Sequence, residues 1–289
     1  MTRSRTATRD RFLTGARIGD YLVDREVSIE ETGTIYLATH VVLPRQVALK
    51  VMHAASAWLR AVAMQMLREA CLLEALSHPG IPRVYECGVL PDRRPWTAFE
   101  RIDGVTLSTL ITSGILPLVD LVQVLRDVAD LLAHAHSRGV VHRALTPDAI
   151  VRTPDRSSRI CVRHWDRALT IDTEIRESVD ARDDVRALGL IAFRCLTGAL
   201  PDPAFTTAER CPAAPIELAS LIDQMLAADP ELRPPAEEVR DRTRWLAETI
   251  EPLIVDKPRW TPPMGLGSEK LPVVETGGFA VRIAPSRTS

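Results

Sequence analysis

The periodicity of the chain changes once, and that change limits the folds open to it. From Tyr21 to Met52 the pattern alternates in short β-branched runs: Tyr21-Leu22-Val23, Thr34-Ile35-Tyr36-Leu37 and Val47-Ala48-Leu49-Lys50-Val51. A period of two places successive side chains on opposite faces of a strand, so these runs predict consecutive antiparallel strands. Trp58, Leu59, Val62, Met66, Leu67, Leu72, Leu73 and Leu76 then recur at helical spacing over 57–76, and His78-Pro79-Gly80 ends that helix. Two more strands are expected near Val84-Tyr85 and Trp96-Thr97-Ala98-Phe99, joined by a turn at Pro91-Asp92. Beyond Asp103-Gly104 the pattern becomes mostly helical, notably over 118–137, 184–197, 216–227 and 235–250. A strand-rich segment followed by a helix-rich one predicts an α+β fold in two lobes, about 18–102 and about 103–250. Residues 1–17 are polar and rich in Arg and Thr, and are expected to be flexible. Residues 251–289 alternate Pro252, Pro258, Pro262, Pro263, Pro272 and Pro285 with glycines. That tail cannot bury enough surface to fold alone and is expected to be disordered.

Composition excludes several partners. The chain has 289 residues, a formal net charge of -2 and a pI of about 6.4. No global field draws it to nucleic acid or to an acidic membrane. No apolar run approaches the ~18 residues of a membrane span, and the N-terminus has no apolar stretch of the kind a secretory signal carries. Cys71, Cys87, Cys161, Cys195 and Cys211 are scattered, with no C-x-x-C pair. An odd, dispersed set suits reduced thiols, so a cytoplasmic location is expected. Lys50, Lys257 and Lys270 are the only lysines among 36 basic residues, which makes Lys50 conspicuous within the folded part.

Six short motifs occur in a fixed order. They are Val47-Ala48-Leu49-Lys50, Arg68-Glu69-Ala70, His78-Pro79-Gly80-Ile81, His142-Arg143, Asp184-Val185-Arg186-Ala187-Leu188-Gly189 and Ala228-Asp229-Pro230-Glu231-Leu232-Arg233-Pro234. In this order and spacing they resemble the protein kinase family over about residues 18–248, most closely the bacterial serine/threonine kinases of the receptor type. The resemblance implies an N-lobe made of an antiparallel sheet and one helix, and a mainly helical C-lobe.

The resemblance also implies where phosphoryl transfer would occur, and there the residues depart from the family. The catalytic loop H-R-D-L-x-x-x-N falls on His142-Arg143-Ala144-Leu145-Thr146-Pro147-Asp148-Ala149. Ala144 stands at the base position and Ala149 at the metal-binding asparagine position. A methyl group neither accepts a proton nor coordinates magnesium. The D-F-G motif is placed at His164-Trp165-Asp166, with His164 at the aspartate position and Trp165 as the aromatic plug. A rival register puts Asp166 itself at the aspartate position. Asp148 and Asp166 are therefore the candidate substitutes for the missing acids. A lone His164 is read as a packing or hydrogen-bonding residue rather than a metal ligand.

The phosphate site is degenerate as well. Lys50 occupies the position of the lysine that holds the α/β-phosphates, and Glu69 that of its helix partner. The glycine-rich pattern G-x-G-x-x-G-x-V falls on Ser28-Ile29-Glu30-Glu31-Thr32-Gly33-Thr34-Ile35, with only Gly33 kept. Glu30 and Glu31 are expected in water at a hairpin tip; turned inward, they would repel a polyanion. The A-P-E motif falls near Thr170-Ile171-Asp172, leaving almost no activation loop. Arg233 would then find its acidic partner in Asp172 or Glu174. Asp184 is placed to tie the catalytic-loop backbone to its helix. His142 and Trp165 are expected to stack with Leu73 and a residue near Val84.

The resemblance and its defects together predict a catalytically inactive kinase-like protein, a regulator or scaffold in bacterial Ser/Thr-kinase signalling. No cofactor is firmly expected: ATP would bind weakly through Lys50, Glu69 and Gly33, and magnesium is not expected. The expected partners are proteins, either an active kinase or a phosphothreonine-binding domain reading Thr261, Thr276 or Thr288 in the tail. The alternatives are a divergent kinase with weak ATP-dependent transfer and a nucleotide-binding sensor without turnover.

Overall fold

Alternating residues in the first hundred positions do pair into a sheet, and the helical segments stack below it. The computed structural model describes residues 11–54, 60–114, 116–154, 156–170 and 180–250. β1 (Arg17–Ile18), β2 (Tyr21–Ile29), β3 (Gly33–His40), β4 (Gln46–Met52), β5 (Val84–Val89) and β6 (Pro95–Glu100) form an antiparallel sheet in the order β1-β2-β3-β4-β6-β5. Between β4 and β5 runs α1 (Arg60–Leu76). Trp58, Leu59 and the side chain of Val62, expected on that helix, lie outside the described residues.

The two faces of the sheet bury different sets. Ile35, Ala48 and Phe99 face α1 and join Leu73, Leu76 and Ile81 in the main core. Tyr21, Val23, Tyr36, Leu49, Val51 and Trp96 form a second cluster on the opposite face. That second face would be an exposed apolar patch if nothing lay on it. Residues 11–17, expected to be flexible, cover it instead. Phe12 packs edge-on against Tyr36 with centroids 5.9 Å apart, and its N–H donates to the Tyr36 hydroxyl at 3.1 Å. Residues 1–10 and 251–289 lie outside the described residues.

After the crossover at Arg101–Gly104 the chain enters the helical lobe. Here lie β7 (Val105–Thr106), α2 (Leu107–Ser113), α3 (Leu118–His136), α4 (Arg182–Thr197), α5 (Thr207–Arg210), α6 (Ile216–Met225) and α7 (Ala236–Ile250). α3 is the centre of this lobe. Its Leu121, Val122, Leu125, Val128, Ala129, Leu132 and Ala135 are all at or near zero exposure, and α7 lies along it. Gly189 of α4 faces α6, where an added Cβ would come within 2.8 Å of Met225 Cβ. No described helix is long and apolar enough to cross a membrane, and all five cysteines are free thiols.

Short strands shape the floor of the inter-lobe cleft. β8 (Val140–Val141) and β9 (Ile150–Arg152) bracket the loop 142–149. β9 pairs on one side with β7 and on the other with β10 (Ile160–Val162). After a 3-10 turn at Trp165–Arg167, β11 (Leu169–Thr170) returns to pair with β8.

Candidate functional site

The site grows from Lys50. It sits mid-strand in β4, opposite Ile35 of β3 and Thr97 of β6. With its neighbours packed on both sheet faces, the long side chain can leave only into the cleft between the lobes. There Glu69 of α1 approaches to 4.0 Å, which places together the two residues that the family resemblance pairs. Glu30, in the turn between β2 and β3, comes closer. Its Oε2 lies 2.9 Å from Lys50 Nζ, and the two side chains are only 19% and 14% exposed. Glu30 is thus not a solvated hairpin-tip acid. The β2–β3 hairpin folds over the cleft, and the one ammonium inside gives the carboxylate a partner that partly offsets its loss of water.

Gly33 serves packing. An added Cβ there would lie 2.6 Å from the Val51 carbonyl oxygen, so a side chain would force β3 and β4 apart. The turn is also closed on itself. The Glu30 N–H donates to the Gly33 carbonyl at 2.8 Å, and the His53 N–H donates to the Thr32 carbonyl at 3.0 Å.

Electrostatics divide the acids from the amine. Burial works to lower the Lys50 pKa, but Glu69 and then Glu30 outweigh it and raise the value overall. The ammonium therefore stays charged. Glu69 is pushed up to about 7, first by burial, with Lys50 pulling the other way and Asp166 and Glu30 adding to the rise. The geometry agrees with this split: 4.0 Å is too long for a hydrogen bond, and among the described residues Glu69 Oε2 accepts none. Lys50 makes its close ion pair with Glu30, while Glu69 acts on it from 4.0 Å by charge.

A pH dependence follows. The folded chain holds the Glu69 proton more tightly than the unfolded chain does, so the contribution of this group is largest at low pH. It is lost as pH rises from the unfolded value of 4.5 through about 7. Wild type should lose roughly 2–3 kcal/mol of stability relative to Glu69→Gln between pH 5 and pH 8. Urea unfolding of both proteins at the two pH values reads this difference, and a constant difference refutes it.

The loop 142–149 is held tightly, with alanine at 144 and 149. Ala144 is half-buried and its N–H donates to His142 Nδ1 at 3.2 Å. Ala149 is fully buried, with its N–H on the Thr146 carbonyl at 3.0 Å. Asp148 is exposed. Its carbonyl accepts from the Arg163 guanidinium at 2.9 Å, and its charge also acts on that guanidinium. His142 is fully buried; its Nε2–H donates to the Arg163 carbonyl at 2.9 Å. Burial is the largest influence lowering its pKa, so the ring is neutral.

At the next segment, His164 adopts a left-handed backbone (φ 64°) and half-faces the cleft. Burial, then Arg163, lowers its pKa, leaving a neutral imidazole. Trp165 turns inward instead, 1% exposed, edge-on to His142 with centroids 4.6 Å apart. Leu73 and Val84 belong to the same apolar cluster. Asp166 lines the cleft, and its carbonyl accepts from Gln65 at 2.7 Å. Among the described residues, no three His, Cys, Asp or Glu side chains gather as a metal site.

Arg233 has an acidic partner among the described residues. Asp172 and Glu174 lie outside the described residues; Arg233 pairs through Nη1 with Asp183 at 2.8 Å, while its Nε–H and Nη2–H donate to the carbonyls of Ala227 and Ala228. Asp183 lies in the first turn of α4. Sequence reasoning also passed over Arg163, whose buried guanidinium is lowered to about 10 by burial. The available signal was an arginine directly after the apolar run Ile160-Cys161-Val162.

The cleft enclosed by these groups has a volume of about 420 Å³, within the roughly 300–1,000 Å³ range of ligand pockets. Its apolar walls are Ile29, Ile35, Leu73, Phe99, Ile102 and Trp165.

Comparison with known proteins bears on this architecture. The protein kinase domain family matches residues 22–163. Among curated proteins, the chain is similar to the serine/threonine-protein kinase Pkn1 of Myxococcus xanthus, 31% identical over 65% of this chain and 30% of that protein. PknL of Mycobacterium tuberculosis is 31% identical over 67% of this chain and 53% of its own length. The chain spans only about a quarter to a third of the length of Pkn1, Pkn2 and PknB, the first relatives matched. Among solved structures, the kinase domain of Mycobacterium tuberculosis PknI superposes with a TM-score of 0.65 at 25% identity, covering 81% of this chain and 99% of that domain.

Proposed function

We propose that this chain, which belongs to the protein kinase family and is similar to bacterial serine/threonine kinases, keeps the fold and does not transfer phosphoryl groups. The observation that carries this reading is the state of Lys50. The ammonium that a kinase offers to phosphate is held by Glu30 at 2.9 Å, while the loop beneath the cleft presents Ala144 and Ala149 where a base and a metal ligand are needed. Proton transfer alone contributes typically ~10²–10⁴-fold, and metal and phosphate contacts add further factors. Losing them together leaves turnover at background. Magnesium finds few donors at the expected positions: Ala149 and His164 stand where an asparagine and an aspartate are needed, His164 is a nitrogen donor poorly matched to a hard oxygen-seeking ion, and Asp166 is the candidate carboxylate left for it in the cleft.

On this reading the chain works by binding another protein in Ser/Thr-kinase signalling. The intact scaffold supports it, since a well-packed fold with a disabled centre still presents surfaces. Tail threonines Thr261, Thr276 and Thr288 lie outside the described residues; the proposal for them is recognition after phosphorylation by an active kinase. Absence of tail phosphothreonine after incubation with such a kinase would remove that part.

Asp166 favours one rival reading, a divergent kinase, because it lines the cleft. A radiolabel transfer assay with Mg·ATP separates the two. Wild type and Lys50→Ala should both label a general protein substrate at background. Labelling by wild type that disappears in Lys50→Ala or Asp166→Asn overturns the proposal.

A further inference from the structure

Once Lys50 is committed to a carboxylate of its own chain, the question is what the remaining cleft accepts. Three observations bear on it. The only lysine before residue 257 is ion-paired to Glu30 at 2.9 Å, with both groups largely shielded from water. One amide of the turn is committed too, because the Glu30 N–H is spent on the Gly33 carbonyl at 2.8 Å. The acids Glu30, Glu69 and Asp166 all act on Lys50, so an incoming polyanion meets three carboxyl groups around the ammonium, and the other cation lining the cleft, Arg163, is already engaged by the Asp148 carbonyl at 2.9 Å. Yet the cavity stays open at about 420 Å³, walled by Ile29, Ile35, Leu73, Phe99 and Ile102.

We propose that Glu30 is a built-in replacement for a ligand phosphate, so that the cleft selects an uncharged, phosphate-free ligand of nucleoside size over a nucleoside polyphosphate. This rests on the reading of the cleft as non-catalytic and adds its ligand class. For a triphosphate to reach Lys50, Glu30 must give up a shielded ion pair and move into water or crowd against Glu69 and Asp166. An uncharged ligand leaves that pair untouched and gains only from the apolar walls. A charge-assisted hydrogen bond of this kind corresponds to roughly 10–100-fold in affinity.

The test compares adenosine with ATP, which differ only by the triphosphate, by isothermal titration in EDTA. Wild type should bind adenosine at least about tenfold more tightly than ATP. Glu30→Gln frees Lys50 and should tighten ATP binding by about tenfold or more while leaving adenosine within about twofold. Glu30→Ala is measured in parallel, so the outcome does not hang on the folding of one variant. The proposal fails if wild type prefers ATP, if neither substitution changes the ATP affinity, or if adenosine does not bind. Titration without magnesium reports binding alone. A chain that prefers ATP yet labels nothing in the transfer assay overturns this inference and leaves the proposed function standing. Labelling that requires Lys50 overturns the proposed function itself.

Discussion

Replacing Trp165 with alanine should lower the free energy of unfolding by about 3–5 kcal/mol, the range for deleting a large buried aromatic. The ring is 1% exposed and packs edge-on against His142. It shares a continuous apolar cluster with Leu73 of α1 and Val185 of α4, so it joins the two lobes through the floor of the cleft. Its Nε1–H donates to the Val162 carbonyl at 2.9 Å, so alanine removes both ring and donor. Trp165→Phe keeps an aromatic plug, loses that donor and should cost only about 1–2 kcal/mol. Urea unfolding of the three proteins at one pH gives the comparison. A loss under about 1 kcal/mol for alanine would mean that the site collapses freely and that the lobes are joined elsewhere. The neighbouring residues set a contrast: His164 and Asp166 line the cleft, and their substitution should change stability far less than loss of the ring.

What the sequence reveals depends on whether the information is local. β2, β3, β4 and the helices α3, α4, α6 and α7 are legible because their apolar residues repeat at the period of the element they form. The short strands β7 to β11 are not. Two or three residues carry no period, and each is held by a partner remote in sequence, as Leu169 is by Val141. Lys50 and Glu69 could be paired through the family resemblance that their motifs carry. The direction of Glu30 could not, since a turn residue next to a strand can face either way, and only the folded hairpin brings it over the lysine. Phe12 illustrates the same limit. Its segment is polar on average, yet one ring finds an apolar sheet face that the sequence places far away. Arg233 meets Asp183 because a helix start brings that acid near, a proximity that no linear spacing expresses.

Asp184→Ala should destabilise the fold by about 3–5 kcal/mol, the scale of losing one member of a buried, charged hydrogen-bond network. Asp184 is 1% exposed at the start of α4. Its Oδ2 accepts from the His142 N–H at 2.8 Å and lies 3.0 Å from His136 Nε2, while its Oδ1 accepts from the Arg143 N–H at 2.8 Å. Arg143 has a left-handed backbone, φ 64°, which a non-glycine residue holds only when its surroundings fix it. The carboxylate supplies that fixation by gripping two successive amides. Asp184→Asn tests the point more sharply than alanine does. It has nearly the same shape, but one oxygen becomes an N–H₂ that faces a backbone N–H, donor against donor. The amide should therefore recover less than half of the loss caused by alanine. Because the loop 142–149 lacks the acids of an active kinase, a large effect at Asp184 would show that this network is retained for the architecture of the loop. Full recovery by asparagine would show instead that one acceptor suffices and that the second amide finds water.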